Sequence, residues 1–258
     1  MESLLKEERQ QQILEALQEN NRVTVPELSN RFGTSEVTIR RDLADLASEG
    51  KLQRTHRGAL KVVPAPPEPP VVQRLSLEQT EKEQIGRAAA ALVEEGDSIF
   101  IGSGSTTSAF ARCLTGLRRL TVVTNALNVA VELAAVSVDW TIIVTGGVVR
   151  PAELSLLGHL AEQSLPEVRV NKVFMGMQAI SLEGGLTSDN MPEVTTTRRI
   201  FDMAPELIVL ADHTKLGKTA AAYIAPLTRM MILVTDCQAD PLVVQQLRNQ
   251  QIRVILAN

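Results

Sequence analysis

Apolar positions in the first sixty residues fall at helical spacing, and those beyond residue 95 fall in short runs. Ile13, Leu14 and Leu17 share one face of a first helix that ends near Asn20 and Asn21. Val23 to Val25 reads as a short extended piece. Pro26 to Phe32 predicts a second helix, proline being tolerated in its first turn, and Gly33 the turn after it. Ser35 is suited to cap a third helix, its hydroxyl accepting the backbone N–H near Thr38. That helix runs to about Ser48 and stops at Gly50, with Ile39, Leu43 and Leu46 facing inward. Leu52 to Val62 then reads as a small hairpin with Gly58 near its turn.

The later runs alternate with helical stretches. Helices are expected at Thr80 to Glu95, Thr106 to Leu114 and Ala126 to Ala134, and His159 begins another. Strands are expected at Ser98 to Ile101, Leu120 to Thr124, Thr141 to Val144, Lys172 to Met175, Leu207 to Leu210, Met230 to Val234 and Arg253 to Leu256. Such alternation predicts an α/β domain with a mostly parallel sheet and helices on both faces. Between the two patterns stands Pro64-Ala65-Pro66-Pro67-Glu68-Pro69-Pro70. Five prolines in seven residues cannot continue a helix or a central strand, and they predict an extended, semi-rigid spacer. The expected organisation is one domain at 1–62, a linker at 63–70 and a second domain at 71–258.

Composition adds limits. The 258 residues are 44% hydrophobic and 22% charged, ordinary for a globular protein, and at 3% aromatic the cores must be aliphatic. The first residues carry acids where a signal peptide would be apolar. The most apolar stretch, Leu120 to Val149, is interrupted by Asn125, Asn128, Glu132 and Asp139. The expectation is a soluble cytoplasmic protein with no membrane partner. Cys113 and Cys237 form no CxxC pattern and read as reduced, largely buried thiols. His56, His159 and His213 have neither triad nor metal-ligand spacing, so no cofactor or metal is expected.

A net charge of −4 argues against nucleic acid, but local charge does not. Arg40 to Lys61 holds six Lys or Arg against three acids. The outward face of the third helix carries Val37, Arg41, Ala44 and Ser48, flanked by Thr38 and Arg40. Small residues with two arginines suit a major groove, and Ser35 and Thr38 suit phosphate at the helix start. Arg54, His56 and Arg57 would sit on the hairpin over the DNA backbone. The ordinary alternative is a solvated charged face.

The second domain has one conspicuous loop, Gly102-Ser103-Gly104-Ser105-Thr106-Thr107, between a predicted strand and a helix. Two glycines let backbone N–H groups approach an anion, the hydroxyls add donors, and the helix points its positive end there. It is neither a Walker loop nor a complete GxGxxG; the ordinary alternative is a plain strand-to-helix turn. Further candidates fall at strand ends, where open α/β sheets place ligands: Asn125, Gly146 and Lys215. Asn125 suits sugar hydroxyls, or equally a helix N-cap. Lys215 suits a phosphate, a pair with Asp212, or open solvent.

The run Val23-Thr24-Val25-Pro26-Glu27-Leu28, then Phe32-Gly33-Thr34-Ser35, then Thr38-Ile39-Arg40-Arg41-Asp42-Leu43 closely resembles the DeoR family of bacterial repressors. That family carries an Arg-x-His-Gly-Gly-Ala-like wing, whereas this chain has Arg54-Thr55-His56-Arg57-Gly58-Ala59, an arginine replacing the first glycine. The second half resembles the DeoR sensor domain at Arg74, Lys82, the Gly104 to Thr107 loop, Thr124-Asn125, Gly146-Gly147, Leu157-Gly158, Gly184 to Thr187, Glu193, Asp212 and Lys215.

The resemblance implies a winged helix-turn-helix joined to an α/β domain similar in fold to ribose-5-phosphate isomerase. It implies a homodimeric or homotetrameric repressor of a sugar catabolic operon, bound to double-stranded operator DNA and to the nucleoid. A phosphorylated sugar effector would release it. Glu193, Asp212, Arg74 and Lys82 enter as further effector contacts or as structural polar pairs. Gly102 stands where many members carry Asp, which would alter the hydroxyls an effector must present. The rival expectation is a sugar-phosphate isomerase with a DNA-binding appendage, since Glu193, Asp189, Asp212 and Lys215 supply acid–base groups.

Overall fold

The computed structural model describes residues 5–20, 22–48, 51–55, 57–61, 63–64, 67–136 and 139–258. It separates into two compact units, Met1–Pro64 and Ala65–Asn258.

The first unit contains α1 (Lys6–Asn20), β1 (Arg22–Thr24), α2 (Val25–Phe32), α3 (Glu36–Ser48), β2 (Leu52–Thr55), β3 (Gly58–Lys61) and β4 (Val63–Pro64). Ile13, Leu17, Leu28, Ile39, Leu43 and Leu46 form its buried centre. A capping box starts α2: the Thr24 hydroxyl accepts the Glu27 N–H, and the Glu27 carboxylate accepts the Thr24 N–H at 2.9 Å. The hydrogen bond from Thr24 holds the Glu27 carboxyl below its usual range. Gly33 closes α2, and Ser29 Oγ donates to Thr34 O at 2.6 Å across the turn into α3.

The expected extended piece and hairpin prove to be one structure. β1 pairs antiparallel with β3, which pairs antiparallel with β2, in the order β1-β3-β2. Gly58 makes this fit possible, because a Cβ there would lie 1.9 Å from the Val23 carbonyl oxygen. The hairpin turn is tied to the start of α2 by Val25 N–H donating to Arg57 O at 2.8 Å.

The second unit begins with α4 (Val71–Arg74), α5 (Gln79–Ala90), β5 (Ser98–Ile101), α6 (Ser105–Cys113), β6 (Thr121–Thr124), α7 (Leu127–Ala134) and β7 (Thr141–Val144). It continues through β8 (Val148–Arg150), β9 (Ser155–Leu157), α8 (His159–Ser164), β10 (Lys172–Gly176), β11 (Ala179–Ser181), β12 (Gly185–Ser188) and α9 (Met191–Phe201). It ends with β13 (Glu206–Leu210), β14 (Lys218–Thr219), β15 (Ala222–Ala225), β16 (Ile232–Asp236), α10 (Pro241–Asn249) and β17 (Arg253–Ala257).

Seven strands form one parallel sheet in the order β17-β16-β13-β10-β5-β6-β7. Alternate residues feed two apolar layers. Phe100, Val173, Leu207, Val209 and Leu233 pack with α9 and α10 residues such as Ile200 and Leu247. Ile99, Ile101, Phe174, Ile208 and Val234 pack with Ile85, Phe110 and Val129 from α5, α6 and α7. The rings of Phe110 and Phe174 stack at 4.4 Å between centroids. Every expected central strand is present.

What the apolar pattern does not reveal is the small antiparallel structure at the sheet's end, the hairpin β8–β9 and the sheet β11-β12-β15. Nor does it reveal that the proline-rich segment is bonded into the second unit. Arg74 Nε donates to Pro69 O at 2.9 Å, and Val71 N–H to Ala152 O at 2.7 Å. The thiols need correction as well. Cys113 is partly buried, and burial pushes its pKa up, whereas Cys237 is exposed in the turn after β16. Among the described residues no helix is long and apolar enough to cross a membrane.

Candidate functional site

Two places concentrate chemistry. In the first unit, α3 turns Ile39, Leu43 and Leu46 inward and leaves Ser35, Val37, Arg40 and Arg41 exposed, with Thr38 half-buried. Val37 is 76% exposed, so an apolar side chain is held out beside two cations. The Ser35 hydroxyl caps the helix, accepting the Thr38 N–H at 3.2 Å. Arg40 pairs loosely with Glu36 one turn away, at 3.3 Å. Arg54 is half-buried on β2 and Arg57 is exposed at the turn into β3; His56 lies outside the described residues. The arginine in place of the wing's first glycine still leaves Thr55 paired with Gly58.

Sequence reasoning missed the clamp beneath this face. Asp42 is buried, and its carboxylate takes Arg9 Nε at 2.5 Å and Arg9 Nη2 at 3.1 Å. The signal was present: Asp42 is one helical step from both Ile39 and Leu46 on the inward face, and a carboxylate there needs a buried cation.

In the second unit the chain steps from β5 outward through β6 to β7, and from β10 outward through β13 and β16 to β17. The neighbours β5 and β10 therefore mark the switch point, where open sheets form a ligand crevice at the carboxyl ends of their strands. A pocket opens there, lined by Ser103, Gly104, Ser105 and Thr106 after β5, Asn125 after β6 and Lys215 beyond β13. Gly104 has φ of 139°, which a side chain would oppose, and it starts α6 without a side-chain cap. The first N–H groups of α6 have no intrahelical acceptors and face this crevice with the helix's positive end.

Asn125 is buried at 3% exposure. Its Nδ2 donates weakly to Leu156 O at 3.4 Å, while its Oδ1 has no partner. It is not the N-cap of α7, a position held by Ala126. An unpaired buried amide oxygen costs about 1–3 kcal/mol unless something in the pocket donates to it.

The remaining expectations divide. Arg74 and Glu193 line the pocket. Arg74 contacts Glu68 at 3.2 Å and also binds Glu153, while Glu193 accepts from Arg150 at 2.9 Å and from Ser155 Oγ at 3.0 Å. Burial raises the Glu153 carboxyl, with Arg74 opposing it. Lys215 binds the carboxylate of Glu68, not Asp212.

Gly102, Thr107, Gly146, Lys82 and Asp212 do not line the pocket. Gly102 is a packing position, since a Cβ would lie 2.0 Å from Met175 Sδ. Thr107 donates to Gly104 O at 3.0 Å and so shapes the loop from behind. Gly146 lies in the loop beyond β7. Asp212 is spent on capping the turn at Thr214, whose N–H it accepts at 3.0 Å. Lys82 donates to the carbonyls of Arg74 and Leu77, fixing the segment that presents Arg74, and burial lowers its pKa. Glu68, Arg150 and Glu153, which the sequence did not single out, belong to the pocket.

Comparison with known proteins covers both places. A family model described as a DeoR-like helix-turn-helix domain matches residues 9–63, and one described as a DeoR C terminal sensor domain matches residues 77–237. The chain is 34% identical over 251 residues to the uncharacterized HTH-type transcriptional regulator YulB of Bacillus subtilis (strain 168), covering 97% of this chain and 96% of that protein. It is 34% identical to the HTH-type transcriptional regulator GolR of Listeria innocua serovar 6a, over 89% of this chain and 90% of the relative. It is 30% identical to the glycerol-3-phosphate regulon repressor of Escherichia coli (strain K12), covering 95% of this chain and 96% of the relative. Among solved structures, ribose 5 phosphate isomerase A from Neisseria gonorrhoeae aligns over 52% of each chain at 17% identity and a TM-score of 0.39, too slight a likeness to carry an argument.

Proposed function

This chain belongs to the DeoR family of transcriptional regulators, and from that premise we propose that it is a repressor released from its operator by a phosphorylated sugar. Family membership makes it a DNA-binding regulator and not an enzyme. In this reading α3 enters the major groove, with Arg40 and Arg41 on base edges or phosphates and Ser35 and Thr38 at the backbone, while Arg54, His56 and Arg57 grip the flanking phosphates. The pocket at the switch point takes the effector. The 103–106 loop and the start of α6 hold the phosphate, Arg74 and Lys215 neutralise it, and Asn125 and Glu193 take hydroxyls.

The observation that carries this reading is the buried, unpaired Asn125 oxygen beside that loop. A relative named as a glycerol-3-phosphate regulon repressor supports the effector class. The protein acts in the cytoplasm, on the nucleoid, as a homodimer or homotetramer spanning operator half-sites. Residues 63–70 join the operator-reading domain 1–62 to the sensor 71–258.

A thermal-shift screen of the full-length protein against sugar phosphates and their free sugars tests the effector class. A phosphorylated compound should raise the melting temperature where its free sugar does not, and Ser105→Ala with Thr106→Ala should remove that shift. Stabilisation by free sugars alone, or by neither set, removes the phosphate from the site.

A further inference from the structure

Every cation lining the pocket already has a carboxylate. Arg150 is held by Glu193, Arg74 lies between Glu153 and Glu68, and Lys215 binds Glu68. A phosphate entering this site adds close to two negative charges beside Glu68, Glu153, Asp189 and Glu193. It gains a cation only if a carboxylate gives one up, since like charges at contact distance do not share a site.

The three ion-paired acids are not equally held. Glu193 stands in the first turn of α9 and is also bonded by Ser155. Glu153 is buried in the β8–β9 hairpin. Glu153 lies in the turn of that hairpin, its N–H donating to Arg150 O at 3.2 Å, whereas Glu68 lies in no helix, strand or hairpin turn, in a segment whose prolines at 66, 67, 69 and 70 provide no backbone donors. Its carboxylate bridges Arg74 and Lys215, and its N–H reaches Asp189 Oδ2 only at 3.4 Å. It is also the acid nearest in sequence to Pro64, where the DNA-binding unit ends.

We propose that Glu68 is a built-in competitor for the effector's anion, its carboxylate and the effector's phosphate taking Arg74 and Lys215 in turn. Eviction of Glu68 then frees the segment that leads to the DNA-binding unit, so the residue that sets effector affinity is the one that transmits binding. The inference rests on reading the pocket as an anion sensor, and it adds how that sensor is coupled. The apparent affinity for an anion is reduced by the fraction of molecules in which Glu68 holds the site.

The test titrates inorganic phosphate into the full-length protein by calorimetry, with Glu68→Gln and Glu68→Ala beside the wild type. Amide hydrogen exchange across residues 67–75 is followed in each. Both variants should bind phosphate about tenfold more tightly or better. In the wild type phosphate should speed exchange at Val71, whose N–H is bonded to Ala152, and in the variants that exchange should be fast from the start. Equal phosphate affinity in wild type and both variants, or exchange at 67–75 that phosphate leaves unchanged, overturns the competitor role while the pocket stands as an anion site. Absence of phosphate binding in all three proteins overturns the anion-sensor reading and this inference with it.

Discussion

Within α3, Arg41 is exposed and its neighbour Asp42 is buried against Arg9. The two charges therefore fail in different experiments. Arg41→Ala removes no contact the fold needs, and it should cost about 1–3 kcal/mol of affinity for a duplex that the wild-type protein selects from a random library. Its melting temperature should stay at the wild-type value. Asp42→Asn leaves Arg9 charged and buried, and breaking such a pair costs about 3–5 kcal/mol. That is a large part of what holds a small domain together, so calorimetry should find the first unit melting early while the sensor melts normally. Arg41 was legible because exposure follows from the helical wheel. The inward place of Asp42 was legible on the same wheel, but its partner Arg9 was not, because it lies on α1 and no local pattern points there. Asn125 shows the same limit: its type and position at a strand end were readable, but its unpaired oxygen depends on how β9 and α7 are placed.

At the scale of elements, the inner strands of the parallel sheet were legible because both their faces are buried, which leaves unbroken apolar runs such as Ile99 to Ile101. The antiparallel pieces were not. β12 pairs with β15 through Leu186 and Ala225, and β8 and β9 have three residues each, too few for a period-two pattern to register. The β8–β9 hairpin brings Arg150 and Glu153 to the pocket, so with Glu68 of the proline-rich segment it carries the part of the site that went unread. β1 was read as extended, but its pairing with β3 was invisible, and Gly58 records the cost of that pairing. In Gly58→Ala the new methyl would meet the Val23 carbonyl and the Thr24 Cα, both main-chain atoms. The strand must move, at about 1–3 kcal/mol or more. Hydrogen exchange should show β1 losing protection and DNA affinity falling with it; a β1 as protected as in the wild type would mean the wing tolerates the contact.

For the whole molecule, pH dependence of the sensor is set partly by charges kept at a burial cost. Burial lowers Lys82 from its ordinary 10.5, so the unfolded chain holds that proton more tightly than the folded one. The stability this group contributes is present above pH 10.5 and is lost as pH falls through the lowered value. Urea midpoints of the full chain should therefore carry an alkaline limb, at most about 1.4 kcal/mol per pH unit from this group. Lys82→Met should flatten it relative to the wild type; parallel limbs in the two proteins would assign the slope elsewhere.

The two-unit plan was readable from the change in periodicity and the proline run, but the attachment of that run was not. Arg74 and Lys215 fasten Glu68, Arg74 fastens Pro69, and Ala152 fastens Val71. For anyone building hybrid regulators, that decides where to cut. A graft made at Pro70, the natural choice from composition, would hand the sensor a foreign segment in place of its own Glu68. A graft made at Pro64 would exchange the operator read and leave the input logic whole.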